Sequence, residues 1–184
     1  MASVFDTIKM KAGDTDRSNN WYRGQVNRIA SGTTARELFR QGKLARRPSV
    51  GRLNLFGYNP KLRRTLPYYD IFPLVLPLEG ISGGFIGMNF HYLPPLLRMR
   101  LLERMQARAT DKRFDSKTKF DVTYSDVKRL SIVKPTIKKY LYSYVQTGFL
   151  RINADEAATA IFLPVQRFKK APDSVVYRDS RSFI

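Results

Sequence analysis

Between Thr65 and Leu97 the chain carries no lysine and no arginine, and only two acids, Asp70 and Glu79. This stretch sits inside a sequence of 184 residues with 33 basic and 15 acidic side chains, a net charge of +18. Ions resist burial, so a segment without cations and dense in Leu, Ile, Phe, Tyr, Pro and Gly is the part best able to form a core. The flanks are the opposite. Residues 1–64 hold 14 basic and 4 acidic groups, residues 98–113 hold 6 and 2, and residues 114–184 hold 13 and 7. They read as surface that must meet something acidic. Arginine outnumbers lysine 20 to 13. The planar, bidentate guanidinium suits fixed contacts to carboxylate or phosphate.

Several classes are excluded by composition. Cysteine is absent, which removes disulfide frameworks, thiol chemistry and Cys-based zinc sites. His91 is the single histidine, so no histidine-rich metal site and no catalytic histidine pair can form. Apolar residues make up 43%, too many for a disordered basic tail. No apolar run reaches the roughly 20 residues that span a bilayer, and Met1–Asp6 do not open a secretory signal. These features lead us to expect a protein made in a reducing cytoplasm, or a particle assembled there.

Residues 1–18 are polar and aperiodic and read as an N-terminal arm. Trp21, Tyr22, Val26 and Ile29 have helical spacing. Thr34 with Glu37 fits a capping box for a helix over 34–41, with Gly42 as a C′ stop. A basic connector, 43–50, precedes a β-rich block over 51–93. There the pattern predicts strands at Leu53–Tyr58, at Pro67–Leu78 and at Phe85–Tyr92, with a tight turn at Gly80–Gly84. The prolines of the second strand confine it to an edge or to short pieces. In the third, Phe85, Gly87, Asn89 and His91 alternate with Ile86, Met88, Phe90 and Tyr92. Pro94-Pro95 opens a helix to Ala109, with Leu97, Leu101, Leu102 and Met105 on one stripe. Beyond it we expect a charged loop over 110–122, a short helix capped by Thr123–Asp126, and a helix from Pro135 through Lys138, Lys139 and Tyr140 to Gly148. A strand at Phe149–Ile152, a helix from Asp155 to Ala160 and a strand over 162–168 follow. The expected fold is α+β: a small antiparallel β meander or partial barrel packed with several short helices. It forms one domain over 19–168 with extended basic termini, the C-terminal arm being 169–184.

No catalytic constellation is visible. His91 has no Ser or Cys partner at a telling spacing and reads as a structural histidine at a strand end. Asp70 and Glu79 lack metal-site or acid–base spacing, and the glycines over 80–87 lack the Lys of a phosphate loop. We therefore expect no enzyme activity, no cofactor and no metal. The candidate interface is basic. Arg100, Arg104 and Arg108 form a stripe at helical spacing, able to grip phosphates or to be an ordinary solvated face. Arg46, Arg47, Arg63 and Arg64 lie in connectors. Lys138 and Lys139 precede Tyr140, Tyr142 and Tyr144, an interleaving that suits stacking on single strands or core packing with hydroxyl contacts.

The blocks Leu66–Val75 (LPYYDIFPLV), Gly84–Pro95 (GFIGMNFHYLPP) and Ala160–Phe168 (AIFLPVQRF) resemble small virion proteins of contractile-tailed, myovirus-type bacteriophages. This resemblance implies a non-enzymatic virion subunit, placed most naturally in the tail baseplate or hub and assembled in the host cytoplasm. Its partners would be acidic surfaces of other virion proteins in a multi-subunit assembly, with DNA contact open. The alternative is a nucleic-acid-binding protein, acting at a DNA end, in the neck region or on RNA. It accounts for the charge of +18 directly.

Overall fold

The cation-free stretch forms the middle of a six-stranded antiparallel sheet. The computed structural model describes Phe5, Thr7, Met10, Gly24, Val26, Arg28 and residues 32–111 and 115–182. In chain order the elements are α1 (Ala35–Gln41), β1 (Leu44–Ala45), β2 (Leu53–Leu55), β3 (Tyr69–Asp70), β4 (Leu74–Ile81), β5 (Gly84–Asn89) and α2 (Pro95–Gln106). Then come α3 (Tyr124–Val127), β6 (Ile137–Leu141), β7 (Phe149–Ile152), α4 (Ala157–Ala160), β8 (Phe168–Lys169) and α5 (Asp173–Arg181). The sheet order is β1-β7-β2-β4-β5-β6, and β3 pairs with β8 in a separate two-stranded ribbon.

Alternation divides the sheet into two packed faces. Leu53, Leu55, Leu74, Leu76 and Met88 point into the main core, where they meet Leu101, Leu102 and Met105 of α2, Val133, and Ile161 and Leu163. Val75, Phe85, Tyr140 and Phe149 point the other way and form a smaller aromatic core with Phe56 and Tyr58. Phe56 is its hub, with ring centroids of Phe149 at 4.8 Å and of Tyr140 at 5.3 Å. The chain after β2 meets the chain after β6. Tyr58 bridges Val145, Asn59 N–H donates to Tyr144 O at 3.0 Å, and Gln146 N–H donates to Gly57 O at 2.8 Å. These contacts curl the sheet into a partial barrel around the aromatic core.

The α+β class and the antiparallel meander are as the sequence indicates, while several elements differ. β4 is an interior strand between β2 and β5, not an edge. It tolerates Pro77 because the register slips between Pro77 and Glu79, a bulge that spares the missing donor. The third strand stops at Asn89, whose side chain accepts from His91 N–H and caps a 3-10 turn, Phe90–Tyr92. The helix expected from Pro135 to Gly148 is instead a 3-10 turn over Ser131–Thr136, strand β6 and a second 3-10 turn over Tyr142–Tyr144. Antiparallel pairing along β5, from Met88 opposite Ile137 to Gly84 opposite Leu141, overrides helical propensity there. The strand expected over 162–168 shrinks to β8, after turns through 161–165. The C-terminal segment is not an arm: α5 buries Val176 completely, and Ser180 Oγ donates to Tyr92 O at 2.5 Å.

Two caps follow the sequence closely. Thr34 Oγ1 accepts from Glu37 N–H at 3.3 Å, and Thr123 with Asp126 forms a capping box on α3. Gly42, expected as the C′ stop, does follow the helix, but with an extended backbone, its N–H donating to Leu38 O at 2.9 Å. Of the arm expected over 1–18 and the helix expected over 19–30, Phe5, Thr7, Met10, Gly24, Val26 and Arg28 are helical. Phe5 and Val26 are buried in the main core. The rest of both segments lies outside the described residues. Among the described residues, no helix is long and apolar enough to cross a membrane.

Candidate nucleic-acid interface

β6 carries cations on a strand whose other tasks are apolar. Tyr140 packs into the barrel, while Lys138 is half-buried and Lys139 is exposed. The 3-10 turn before the strand exposes Lys134 and buries Pro135. Facing β6 is the loop 60–66. Its own turns hold it in shape: Arg63 N–H donates to Pro60 O, and the N–H groups of Thr65 and Leu66 donate to Leu62 O. Lys170, at an uncommon φ of +72°, closes the loop from outside, with Nζ donating at 2.8 Å to both Arg64 O and Leu66 O.

Between these walls lies an open cleft of about 650 Å³. Tyr58, Tyr68, Tyr69, Tyr92 and Tyr140 line it, with Lys61, Lys134, Lys138 and Lys139 as its cations. The aromatic wall is ordered. Tyr92 lies edge-on to Phe168 at 5.1 Å, and Tyr68 sits 6.0 Å from Tyr92. Lys138 Nζ stands 4.2 Å from the Tyr92 ring centroid. No carboxylate pairs with Lys138 among the described residues, and burial lowers its pKa from 10.5 to about 8. A cation over a ring face is held by the quadrupole but keeps its appetite for an anion.

Asp70 is the one acid in the lining, and its acceptor positions are filled. Oδ1 accepts from the N–H groups of Phe72 at 3.0 Å and Arg167 at 3.2 Å. Oδ2 accepts from Asn89 Nδ2 at 3.3 Å and from His91 Nδ1 at 2.7 Å. Two donors on each oxygen leave the carboxylate nothing to offer a ligand. His91 is fully buried, and burial pushes its pKa down against the pull of Asp70, so the ring is neutral with its proton on Nδ1. Its Nε2 has no hydrogen-bond partner among the described residues. Solvent does not reach the imidazole, and its bond to Asp70 fastens the turn after β5 to β3.

The basic residues singled out by sequence divide into two groups. Arg63 and Arg64 line a hollow with Lys61 and Tyr144 that shares Pro60, Lys61 and Leu62 with the cleft. Arg47 lies 4.4 Å over the ring of Tyr142, in the same 3-10 turn as Tyr144, and Arg46 lines a further hollow against Tyr142. Lys138 and Lys139 are in the cleft itself. Arg100 and Arg104 are exposed on α2, which supplies no residue to the cleft, and Arg108, exposed in the turn just after it, pairs with Asp126 at 3.2 Å. Sequence reasoning missed Tyr68, Tyr69, Lys61 and Lys134. The tyrosines stand in the uncharged centre and read as core, Lys134 is a lone cation in its turn, and Lys61 is overshadowed by the neighbouring pair Arg63-Arg64. No group of three or more acids and histidines that could hold a metal occurs among the described residues.

No curated protein and no solved structure matches the chain. A family model does, that of the phage T4 terminal DNA protecting protein, over residues 5–178. That match runs through the barrel, the cleft and α2 and stops inside α5. The chain belongs to the family of the phage T4 terminal DNA protecting protein.

Proposed function

We propose that this protein binds the ends of linear phage DNA and shields them from exonucleases. The observation that carries the reading is the cleft. Lys61, Lys134, Lys138 and Lys139 converge on a tyrosine-lined hollow whose single carboxylate is already saturated. Phosphate is the anion such a cluster suits, and tyrosine rings suit bases. The family's description, a terminal DNA protecting protein, supports the same partner. The baseplate or hub position that the virion resemblance suggests finds no support in that description. Presence in the particle is a separate expectation, tested by mass spectrometry of purified phage.

The test is protection of end-labelled linear duplex against a double-strand exonuclease, with circular duplex of equal length as competitor. We expect the label to persist in proportion to bound protein, and circles to compete at least tenfold less well than linear DNA per nucleotide. The contrast separates end recognition from the non-specific attraction that any strongly basic protein has for DNA. Equal competition by circles would reject end binding.

A further inference from the structure

We propose that the cleft receives one or two unpaired nucleotides at the DNA end, with bases against Tyr68 and Tyr69 and the phosphate on Lys138. This inference rests on the end-binding reading above and names what the site grips. Size comes first. A volume of about 650 Å³ lies in the range that encloses a small ligand. It has room for a nucleotide or two and none for a stack of base pairs on two backbones. Only a strand that has left its partner can enter.

Charge then sets the orientation. Asp70 sits at the inner wall as a carboxylate with every acceptor position taken, so it repels a phosphate and offers a base nothing. The exposed lysines Lys134 and Lys139 belong to the outer wall. Phosphates therefore face outward and bases inward. Lys138 lies between these zones. It is a half-buried ammonium with a tyrosine ring 4.2 Å away and no carboxylate partner among the described residues. A protein that needed Lys138 only for its fold would gain from an apolar side chain there, because a buried unpaired ion is unfavourable. An incoming phosphate supplies the missing anion. The two stacking tyrosines are placed differently. Tyr68 is braced by Tyr92 and Phe168, whereas Tyr69 is half-buried in the lining and has no ring partner among the described residues. A base would complete its packing.

The experiment uses DNA hairpins with a single open end, either blunt or carrying a four-nucleotide 3′ or 5′ overhang. Binding to the full chain is read by fluorescence anisotropy. We expect at least one overhang to bind about tenfold tighter than the blunt end, the size expected for base–aromatic stacking. Tyr69→Ala should bring the overhang-to-blunt ratio close to one, and Tyr69→Phe should keep it. Lys138→Met should weaken overhang binding about tenfold while raising the melting temperature, two results that a purely structural lysine would not give together. Arg129→Gln, an exposed change outside the cleft, should leave the ratio as it is. Equal binding of blunt and overhanging ends, or a ratio unaltered in Tyr69→Ala, would overturn the proposal even if linear DNA still beats circles. Should circles compete equally, the failure lies with end binding itself.

Discussion

Arg98 and Lys138 are both cations withdrawn from water, and they are treated in opposite ways. Arg98 is fully buried in α2 yet donates at every edge. Nε reaches Leu93 O at 2.7 Å, one terminal nitrogen reaches Ile161 O at 2.9 Å, and the other reaches His91 O at 3.2 Å and Tyr177 Oη at 2.7 Å. The guanidinium ties the start of α2 to the end of β5, to the turn after α4 and to α5. Lys138 has a ring beneath it and no such cage. A buried ion with all its donors used is architecture. A half-buried ion with no oxygen partner among the described residues is what the proposed phosphate contact rests on.

The same replacement, cation to methionine, should therefore have opposite effects. Arg98→Met would strand three backbone carbonyls in the core, each worth about 1–3 kcal/mol when left unpaired. The expected loss is about 3 kcal/mol or more, a large part of a typical domain's stability, and thermal or urea denaturation measures it. A variant within about 1 kcal/mol of wild type would show that water or a neighbour replaces the guanidinium. In Lys138→Met the lost ion had no oxygen partner among the described residues, and the melting temperature should rise.

The pH dependence sharpens the contrast. Lys138 has a folded pKa near 8, below the 10.5 of an unfolded lysine. Between these values the unfolded chain binds more protons, so stability rises with pH from about 8 toward 10. Above pH 10 the raised pKa values of Tyr58, Tyr92 and Tyr140 take over. Unfolded tyrosine ionises first there, and stability falls. Affinity for DNA should move the other way and decline as pH passes 8, because Lys138 loses its charge. The groups facing Lys138 across the cleft are the cations Lys61, Lys134 and Lys139, the phenols of Tyr68, Tyr69 and Tyr92, and the Asp70 carboxylate. Lys138→Met should flatten both curves between pH 7.5 and 9.5, and a stability rise that persists in the variant would assign the titration elsewhere.

Much of the scaffold was legible. Charge depletion between residues 65 and 97 marked β4 and β5, since a segment without cations can be buried on both faces. Pro94-Pro95 marked the start of α2, and Thr34 and Thr123 marked two caps. β6 was misread because Pro135 resembled the first residue of a helix and Lys138 and Lys139 favour one locally, while barrel pairing with β5 decides the outcome at long range. The cage of Arg98 was hidden for the same reason, its carbonyls coming from residues 91, 93 and 161. The site was half visible. Lys138, Lys139, Arg63 and Arg64 stood out as paired cations, but Tyr68 and Tyr69 looked like any core aromatics. Only the fold of loop 60–66 against β6 turns them into a wall.

The smallest expected effect belongs to the stripe Arg100, Arg104 and Arg108, whose helical spacing suited either a phosphate grip or an ordinary solvated face. Arg100 and Arg104 are exposed, Arg108 is 55% exposed and paired with Asp126, and no α2 residue lines the cleft. Exposed ion pairs contribute about 0–1 kcal/mol, and charges more than roughly 10 Å apart at 0.1 M salt are largely screened. Arg104→Glu should accordingly weaken DNA-end binding by no more than about threefold at 0.15 M salt, the residue acting only through the overall field. Lys139→Glu, at the cleft, should cost about tenfold and lower the salt slope by close to one phosphate contact. Both variants should melt within a few degrees of wild type, as exposed substitutions do. Anisotropy titrations at several salt concentrations compare them directly. If Arg104→Glu proves as damaging as Lys139→Glu, and reduces the salt slope as much, the DNA path runs over α2 and the cleft is not its centre.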